Sequence, residues 1–316
     1  MKPELLLMTP LFAVTMETLE HNFTVHRFWE ANDPAALLRE VAPRVRAVVT
    51  DGGRGVKAEV LAQLPATALV AVFGVGVDAV ALDYCKENNI KVTNTPHVLS
   101  DDVADLAVAL ILAISRRVVR ADQYCRSGQW SEFGPMPLTT RVTGKRAGIL
   151  GMGSIGQRLA RRLDAFDMQV SYCNRNRRSD VNYQYIDDLK TLASESDYLV
   201  ICASASAGTS NIINSDVLSA LGPDGYLVNI SRGTLVDEQA LLQALKTGQI
   251  AGAALDVFDN EPSINPGFLA LDNVVLQPHQ ASATVESRKA MGQVVCENLD
   301  CFFTDRPLLT EYFIRS

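Results

Sequence analysis

The chain has 316 residues, more than one hydrophobic core usually serves, so two domains are expected. A hydrophobic share of 47% and a charged share of 21% fit a soluble globular protein, and a net charge of −7 argues against general binding to nucleic acid or an anionic membrane. No run approaches the roughly 20 apolar residues of a membrane helix, because "VADLAVALILAI" is short and contains Asp105.

The start, "MKPELLLMTP", has one Lys and a short apolar run closed by Pro10, so no signal peptide is expected. Strand-like runs follow: "ELLLMT", "FTVHRFW", "RVRAVVTD", "ALVAVFG" and "IKVTNT". Helix-like pieces separate them. In "DPAALLREV", Asp33 suits the N-cap and Pro34 the first helical position. Such βα repetition implies a parallel sheet covered on both faces. A long helix is expected from about Asp101 to Ser127, capped by Ser100 or Asp101 and ended by Gly128.

From Lys145 a second βα series begins, with strands "RAGILG", "QVSYCN", "YLVICAS", "YLVNIS", "AGAALDVF" and "VVLQP". Six strands with intervening helices satisfy a dinucleotide-binding fold. A last helix is expected over "SATVESRKAMGQVVCENLDCFF", whose apolar positions Val285, Val294, Val295, Leu299 and Phe302 suit a long, partly buried helix. The tail is too short for another domain, so the chain is expected to return to the first one. The six cysteines (Cys85, Cys125, Cys173, Cys202, Cys296, Cys301) lack CxxC or zinc spacing, and no metal is expected; a reducing cytoplasm fits best.

"GILGMGSIGQRLA" places Gly151, Gly153 and Gly156 in GxGxxG spacing between a strand and a helix. Gly151 permits the tight turn, Gly153 lets backbone approach a pyrophosphate, and Gly156 lets the helix pack on the strand. Ser154 and Ile155 open the helix, whose free N–H groups suit an anion. The alternative is a glycine turn in an unrelated α/β sheet. About twenty residues on, "SYCNRNRR" has Asn174 where an acidic residue would bond ribose hydroxyls and repel a 2′-phosphate. Arg175 can bond that phosphate and stack on adenine, and Arg177 or Arg178 can add charge. NADP is therefore the expected cofactor, with NAD possible; the alternative is a basic surface loop.

Reducing a 2-keto acid needs groups that hold a carboxylate, polarise a carbonyl and deliver a proton. Arg232 in "LVNISRGTLVDE", Glu261 in "LDVFDNEP" and His279 in "VVLQPHQAS" each follow a successive strand of one sheet. Arg232 can grip a carboxylate in a bidentate way or merely cap a strand end. Glu261, if hydrogen-bonded to His279, would keep the imidazole protonated and ready to donate; otherwise it is a solvated loop glutamate.

With those residues, and with "FGVGVD", "VTNTPHVLSDDVADLAVALIL" and "SATVESRKAM", the chain resembles the D-isomer-specific 2-hydroxyacid dehydrogenases over essentially its whole length. Within that family it looks most like the glyoxylate/hydroxypyruvate and hydroxyphenylpyruvate reductases. The resemblance implies α/β architecture with two doubly wound parallel-sheet domains. A Rossmann cofactor domain (99–284) would be inserted in a smaller flavodoxin-like substrate domain (1–98 and 285–316). It implies that Arg232 binds the substrate's carboxylate and keto oxygen and that Glu261 and His279 form the proton-donating dyad. Asp256 would bond the nicotinamide carboxamide, and Ile230 and Thr209 would lie along the cofactor. Val75 and Gly76 would present N–H groups to the substrate carboxylate, although a plain βα turn explains that stretch too.

Family members are usually homodimers and close around the substrate. In such a dimer, Trp130 and Phe133 of a neighbouring subunit could line the substrate pocket. One stretch departs: "CASASAGT" puts Ser204 and Ser206 where many members have proline and threonine. The expected activity is NADPH-dependent reduction of small 2-keto acids, glyoxylate and hydroxypyruvate foremost. Reduction of bulkier keto acids such as hydroxyphenylpyruvate is one alternative. A dinucleotide-sensing corepressor-like protein is the other, disfavoured by the lack of basic tracts and partner-binding extensions.

Overall fold

Five short apolar runs build the first sheet: β1 (Glu4–Leu7), β2 (Thr24–Arg27), β3 (Val45–Asp51), β4 (Leu69–Phe73) and β5 (Lys91–Thr93). All neighbours pair in parallel, in the order β2-β1-β3-β4-β5. That is the flavodoxin-like doubly wound order. In the computed structural model, which describes residues 2–205 and 207–314, this sheet belongs to a unit formed by Met1–Leu99 and Ala283–Ser316. Leu69, Val70, Ala71 and Val72 of β4 are wholly buried, as a strand covered on both faces requires. The helix Pro34–Val41 starts as its sequence dictates: Asp33 Oδ1 accepts the Ala36 N–H at 3.0 Å, with Pro34 in the first turn.

The chain returns to this unit through the helix Val285–Phe303, which packs against β4. Thr284 caps it, its Oγ1 accepting the Ser287 N–H at 3.1 Å. Val285 does not join the buried stripe; it is 54% exposed, because the inward face runs through Ser287, Met291, Val295 and Leu299 at four-residue steps. Beyond the helix, Tyr312 N–H donates to Val92 O at 2.7 Å and fastens the tail to β5.

The second unit, Ser100–Ser282, carries seven parallel strands. They are β6 (Arg146–Leu150), β7 (Gln169–Cys173), β8 (Gln184–Tyr185), β9 (Tyr198–Ile201), β10 (Tyr226–Asn229), β11 (Gly252–Leu255) and β12 (Val274–Leu276). Their order is β12-β11-β10-β9-β6-β7-β8. Six were expected. The seventh, β8, spans two residues at the sheet edge, too few for an apolar period to register. The strand order reverses between β6 and β9, the switch point at which such sheets bind ligands.

The expected long helix is two helices, Ser100–Arg116 and Val118–Arg126. Arg117 adopts a left-handed conformation (φ 50°) between them. Ser115 explains the break. Its hydroxyl takes the Ile111 carbonyl at 2.6 Å, and its own carbonyl accepts the Thr140 N–H at 3.1 Å. Both compete with continuing the helix.

Candidate active site

The glycine turn follows β6 directly, and its three glycines stand in different surroundings. Gly151 has φ 101°, and a Cβ there would lie 2.5 Å from Ala203 N. A Cβ on Gly156 would lie 2.2 Å from Gly151 O, so this residue allows the helix Ser154–Asp164 to press on the turn. Gly153 is the opposite case: nothing lies within 4 Å of its Cβ position. The fold itself leaves room for a side chain there. A side chain would fill the space in front of the first helical N–H groups, the kind of place at which a helix start can take an anion. Ser154 Oγ is engaged with Ser100 Oγ (3.1 Å) and Arg158 (2.7 Å), and Ile155 is half-buried beside it.

At the end of β7, Asn174 Oδ1 accepts the Met152 N–H at 2.7 Å, tying strand end to glycine turn. Arg175 and Arg177 are exposed and, among the described residues, have no side-chain ion pair. Arg178 is different. Asp180 holds its guanidinium with bonds of 2.7 and 2.5 Å, and its N–H donates to the Tyr172 hydroxyl at 2.9 Å. Thr209 ends the short 3-10 turn Ala207–Thr209 and is half-buried; Ser204 is exposed, and Ser206 lies outside the described residues. Ile230, 6% exposed, follows β10.

Arg232 stands in the loop after β10, and Asn229 shapes that loop. Asn229 Oδ1 accepts the Ser231 N–H at 3.0 Å, while its Nδ2 donates to Arg232 O at 2.9 Å. Gly233 lets the loop after β11 pass: a Cβ would sit 1.9 Å from Phe258 C. Arg232 is half-buried, and its charge helps keep the Glu261 carboxylate ionised.

His279 and Glu261, eighteen residues apart, are brought together at 2.7 Å between Nδ1 and Oε2. Glu261 Oε1 accepts the Phe258 N–H at 3.0 Å, so both oxygens are placed. Burial pushes the Glu261 carboxyl up. The His279 and Phe258 hydrogen bonds and the positive charges of His279 and Arg232 outweigh it and hold the group below its ordinary range. An ionised carboxylate can only accept, so Nδ1 supplies the proton of this hydrogen bond. The His279 side chain is 43% exposed, so a ligand can reach it.

Asp256 was missed as a scaffold. It is 0% exposed and holds three successive N–H groups: His279 on its backbone O (2.8 Å), Gln280 on Oδ1 (2.7 Å) and Ala281 on Oδ2 (3.0 Å). This clamp keeps His279 at φ 54°, a conformation unusual for a residue with a Cβ. Burial raises the Asp256 carboxyl, and the bonds from the backbone N–H groups of Gln280 and Ala281 oppose the rise. Asn229 and Gly233 were missed too; the signals were a polar residue ending a buried strand and a glycine straight after the arginine.

Val75 and Gly76 lie in the other unit, directly after β4, both half-buried. Asn94 Nδ2 donates to Val75 O at 2.9 Å and holds that turn. Among the described residues, no group of three or more His, Cys, Asp or Glu side chains could hold a metal, and no helix is long and apolar enough to cross a membrane.

Residues 108–281 match the family described as D-isomer specific 2-hydroxyacid dehydrogenase, NAD binding domain. The chain is 47% identical to a 2-ketogluconate reductase of Gluconobacter oxydans (strain 621H), over 98% of each. It is 43% identical to a glyoxylate/hydroxypyruvate reductase of Arabidopsis thaliana, over 96% of this chain and 97% of the relative. Among solved structures, an NADPH-dependent glyoxylate/hydroxypyruvate reductase of Sinorhizobium meliloti, in complex with NADP and malonate, superposes with a TM-score of 0.94. It is 37% identical, with 100% of this chain and 99% of that one covered.

Proposed function

This chain belongs to the D-isomer-specific 2-hydroxyacid dehydrogenase family, and from that premise we propose that it is an NADPH-dependent reductase of small 2-keto acids. The observation that carries the reading is the 2.7 Å His279–Glu261 pair, set after β12 and β11, with Arg232 presented after β10. In the proposed reaction Arg232 binds the substrate carboxylate and keto oxygen and so polarises the carbonyl. A bound nicotinamide dinucleotide would supply the hydride to the keto carbon. His279 Nε2–H then donates its proton to the developing alkoxide, while Glu261 holds Nδ1–H and stabilises the imidazolium until donation.

Val75 and Gly76 N–H groups are proposed to bind the substrate carboxylate. Gly151, Gly153, Ser154, Ile155 and Gly156 are proposed to cradle the pyrophosphate, with Thr209 and Ile230 along the cofactor. Asp256 is proposed to reach the nicotinamide carboxamide through a lone pair that its two amide bonds leave. NADP preference rests on Asn174, Arg175 and Arg177; NAD use is the alternative. The NADP-bound relative supports the choice.

Glyoxylate and hydroxypyruvate are the proposed substrates. A second substrate reading is a longer hydroxylated keto acid, favoured by the 47% identity to a 2-ketogluconate reductase. A homodimer is proposed, supported by exposed Val118 (53%), Trp130 (62%), Phe133 (65%) and Leu138 (97%) along one segment. The six unpaired cysteines support a reducing cytoplasmic setting. The test follows absorbance at 340 nm with each keto acid and each cofactor. Turnover with glyoxylate or hydroxypyruvate, faster with NADPH, is expected. No rate with any keto acid would shift the reading to a dinucleotide-binding protein.

A further inference from the structure

Two tyrosines of the second unit end on one loop. Tyr172 lies on β7 and Tyr185 on β8, and the two are partners across the parallel strands. Such partners point to the same face of a sheet. Their ring centres lie 5.4 Å apart, with the planes tilted by 52°. Tyr172 is wholly buried and Tyr185 half-buried, so their hydroxyls need partners inside the protein. Tyr172 Oη accepts the Arg178 N–H at 2.9 Å and donates to Arg178 O at 3.4 Å. Tyr185 Oη donates to Asn174 O at 3.2 Å. The two hydroxyls therefore hold the two ends of the segment 174–178.

Other bonds close the bracket. Asn174 Oδ1 takes the Met152 N–H, and Asp180 holds the Arg178 guanidinium. Just before β8, Tyr183 Oη donates to Asp164 Oδ2 at 2.6 Å and ties the approach to Tyr185 to the helix Ser154–Asp164. Between the held ends, Arg175 and Arg177 are exposed and, among the described residues, have no ion pair. β8 is two residues long and stands at the sheet edge; what it contributes is the Tyr185 hydroxyl beside Tyr172. A loose loop would have to order its backbone as its arginines closed on an anion, and that lost freedom would subtract from binding. Ends held beforehand remove most of that cost.

We propose that Tyr172 and Tyr185 are positioning residues for cofactor choice, whose hydroxyls hold the segment 174–178 so that Arg175 and Arg177 are preset for the 2′-phosphate of NADP. The inference rests on the NADPH reading above and concerns the second unit alone. Both hydroxyls touch backbone and act through the arginines. NADH has no 2′-phosphate and gains nothing from arginines preset in this way.

The test is binding. Fluorescence titration gives the Kd of NADPH and of NADH for the wild type, Tyr172→Phe, Tyr185→Phe and the double variant; Phe keeps each ring and removes its hydroxyl. The wild type is expected to bind NADPH more tightly than NADH. Each single variant should weaken NADPH binding by about threefold and the double variant by about tenfold, with the NADH Kd changed by less than about twofold. In an Arg175→Ala/Arg177→Ala background the Phe substitutions should leave the NADPH/NADH ratio unmoved. Trypsin supplies a readout without cofactor: cleavage after Arg175 and Arg177 should be faster in the double Phe variant than in the wild type. If Tyr172→Phe does not fold, Tyr185→Phe at the sheet edge carries both comparisons. Equal weakening for both cofactors, a ratio that still falls in the arginine-free background, or an unchanged cleavage rate would overturn the proposal. A wild type that binds NADH at least as tightly as NADPH removes the NADPH reading and this inference with it. One that prefers NADPH, with the preference intact in the Phe variants, removes the inference alone.

Discussion

His279 and Arg175 both follow parallel strands of the same sheet, yet the chain around them is built in different ways. His279 is held by Glu261 at its ring and by Asp256 at three successive N–H groups. Arg175 projects from an exposed loop, and its neighbour Asn174 is anchored through Met152 N–H. The difference follows from the tasks proposed. Proton donation depends on direction and on a distance of a few tenths of an ångström. Choosing between a phosphate and a hydroxyl depends mostly on charge, which acts at longer range and tolerates a mobile side chain. Rigidity is concentrated where chemistry would need it.

Removing the rigid side should do the most harm. His279→Ala and Arg232→Ala are each expected to lower kcat by about a thousandfold or more while NADPH still binds. Single-turnover rates and fluorescence titration check the two halves of that statement. Retained turnover in either variant would break the assignment of roles. Gly233→Ala attacks the same region through packing. Its Cβ would overlap Phe258 C at 1.9 Å, and Asp259 N at 2.2 Å, both backbone atoms that cannot swing aside. A loss of about 3 kcal/mol or more is expected, read as a fall in thermal midpoint. A stable Gly233→Ala protein would show that the loops after β10 and β11 are not interlocked.

The exposed side should respond selectively. Arg175→Ala is expected to lower kcat/KM for NADPH by about tenfold and to leave NADH use nearly as it was. Arg178→Ala should change the NADPH/NADH ratio by less than about threefold, because Asp180 already occupies its guanidinium. The side-by-side ratio for these two variants sharpens the comparison. If Arg178 matters more, the Asp180 pair opens on binding and the loop is not the passive charge it looks.

The sequence showed the two regions unequally. The glycine spacing, the strand-end positions of Arg232, Glu261 and His279, and the two βα series were all legible, because each is a pattern of residue types at fixed intervals. What escaped were features set by contacts between distant segments. Asp256 reads as one acidic residue in "LDVF"; its hold on Gln280 and Ala281 exists only once β11 and β12 lie side by side. The helix break at Arg117 depends on Thr140 reaching back to Ser115, which no local period encodes. Arg178 looked equivalent to Arg177 until Asp180, two residues on, was seen to fold back onto it. Val285 is apolar yet exposed, because the inward face is set by where the helix meets β4.

The smallest expected effect isolates Glu261 by pH. Its folded-state carboxyl lies below the ordinary value of 4.5: burial raises it, and the His279 and Phe258 hydrogen bonds more than offset that. A depressed folded value means that the ionised form is favoured by folding. The stabilisation is therefore fully present above pH of about 4.5 and is lost as pH falls through the lowered folded value. Glu261→Gln keeps the shape and removes the titration. The contribution of the carboxylate to the difference in unfolding free energy between wild type and Glu261→Gln should shrink as pH falls below about 4.5. Because the side chain is about one-third exposed, solvent screens the pair and the difference stays modest. Denaturant melts at a series of pH values check it. A difference that grew on acidification would mean that the carboxyl is protonated in the folded protein, and that His279 Nδ1 is held by a neutral acid instead of a carboxylate.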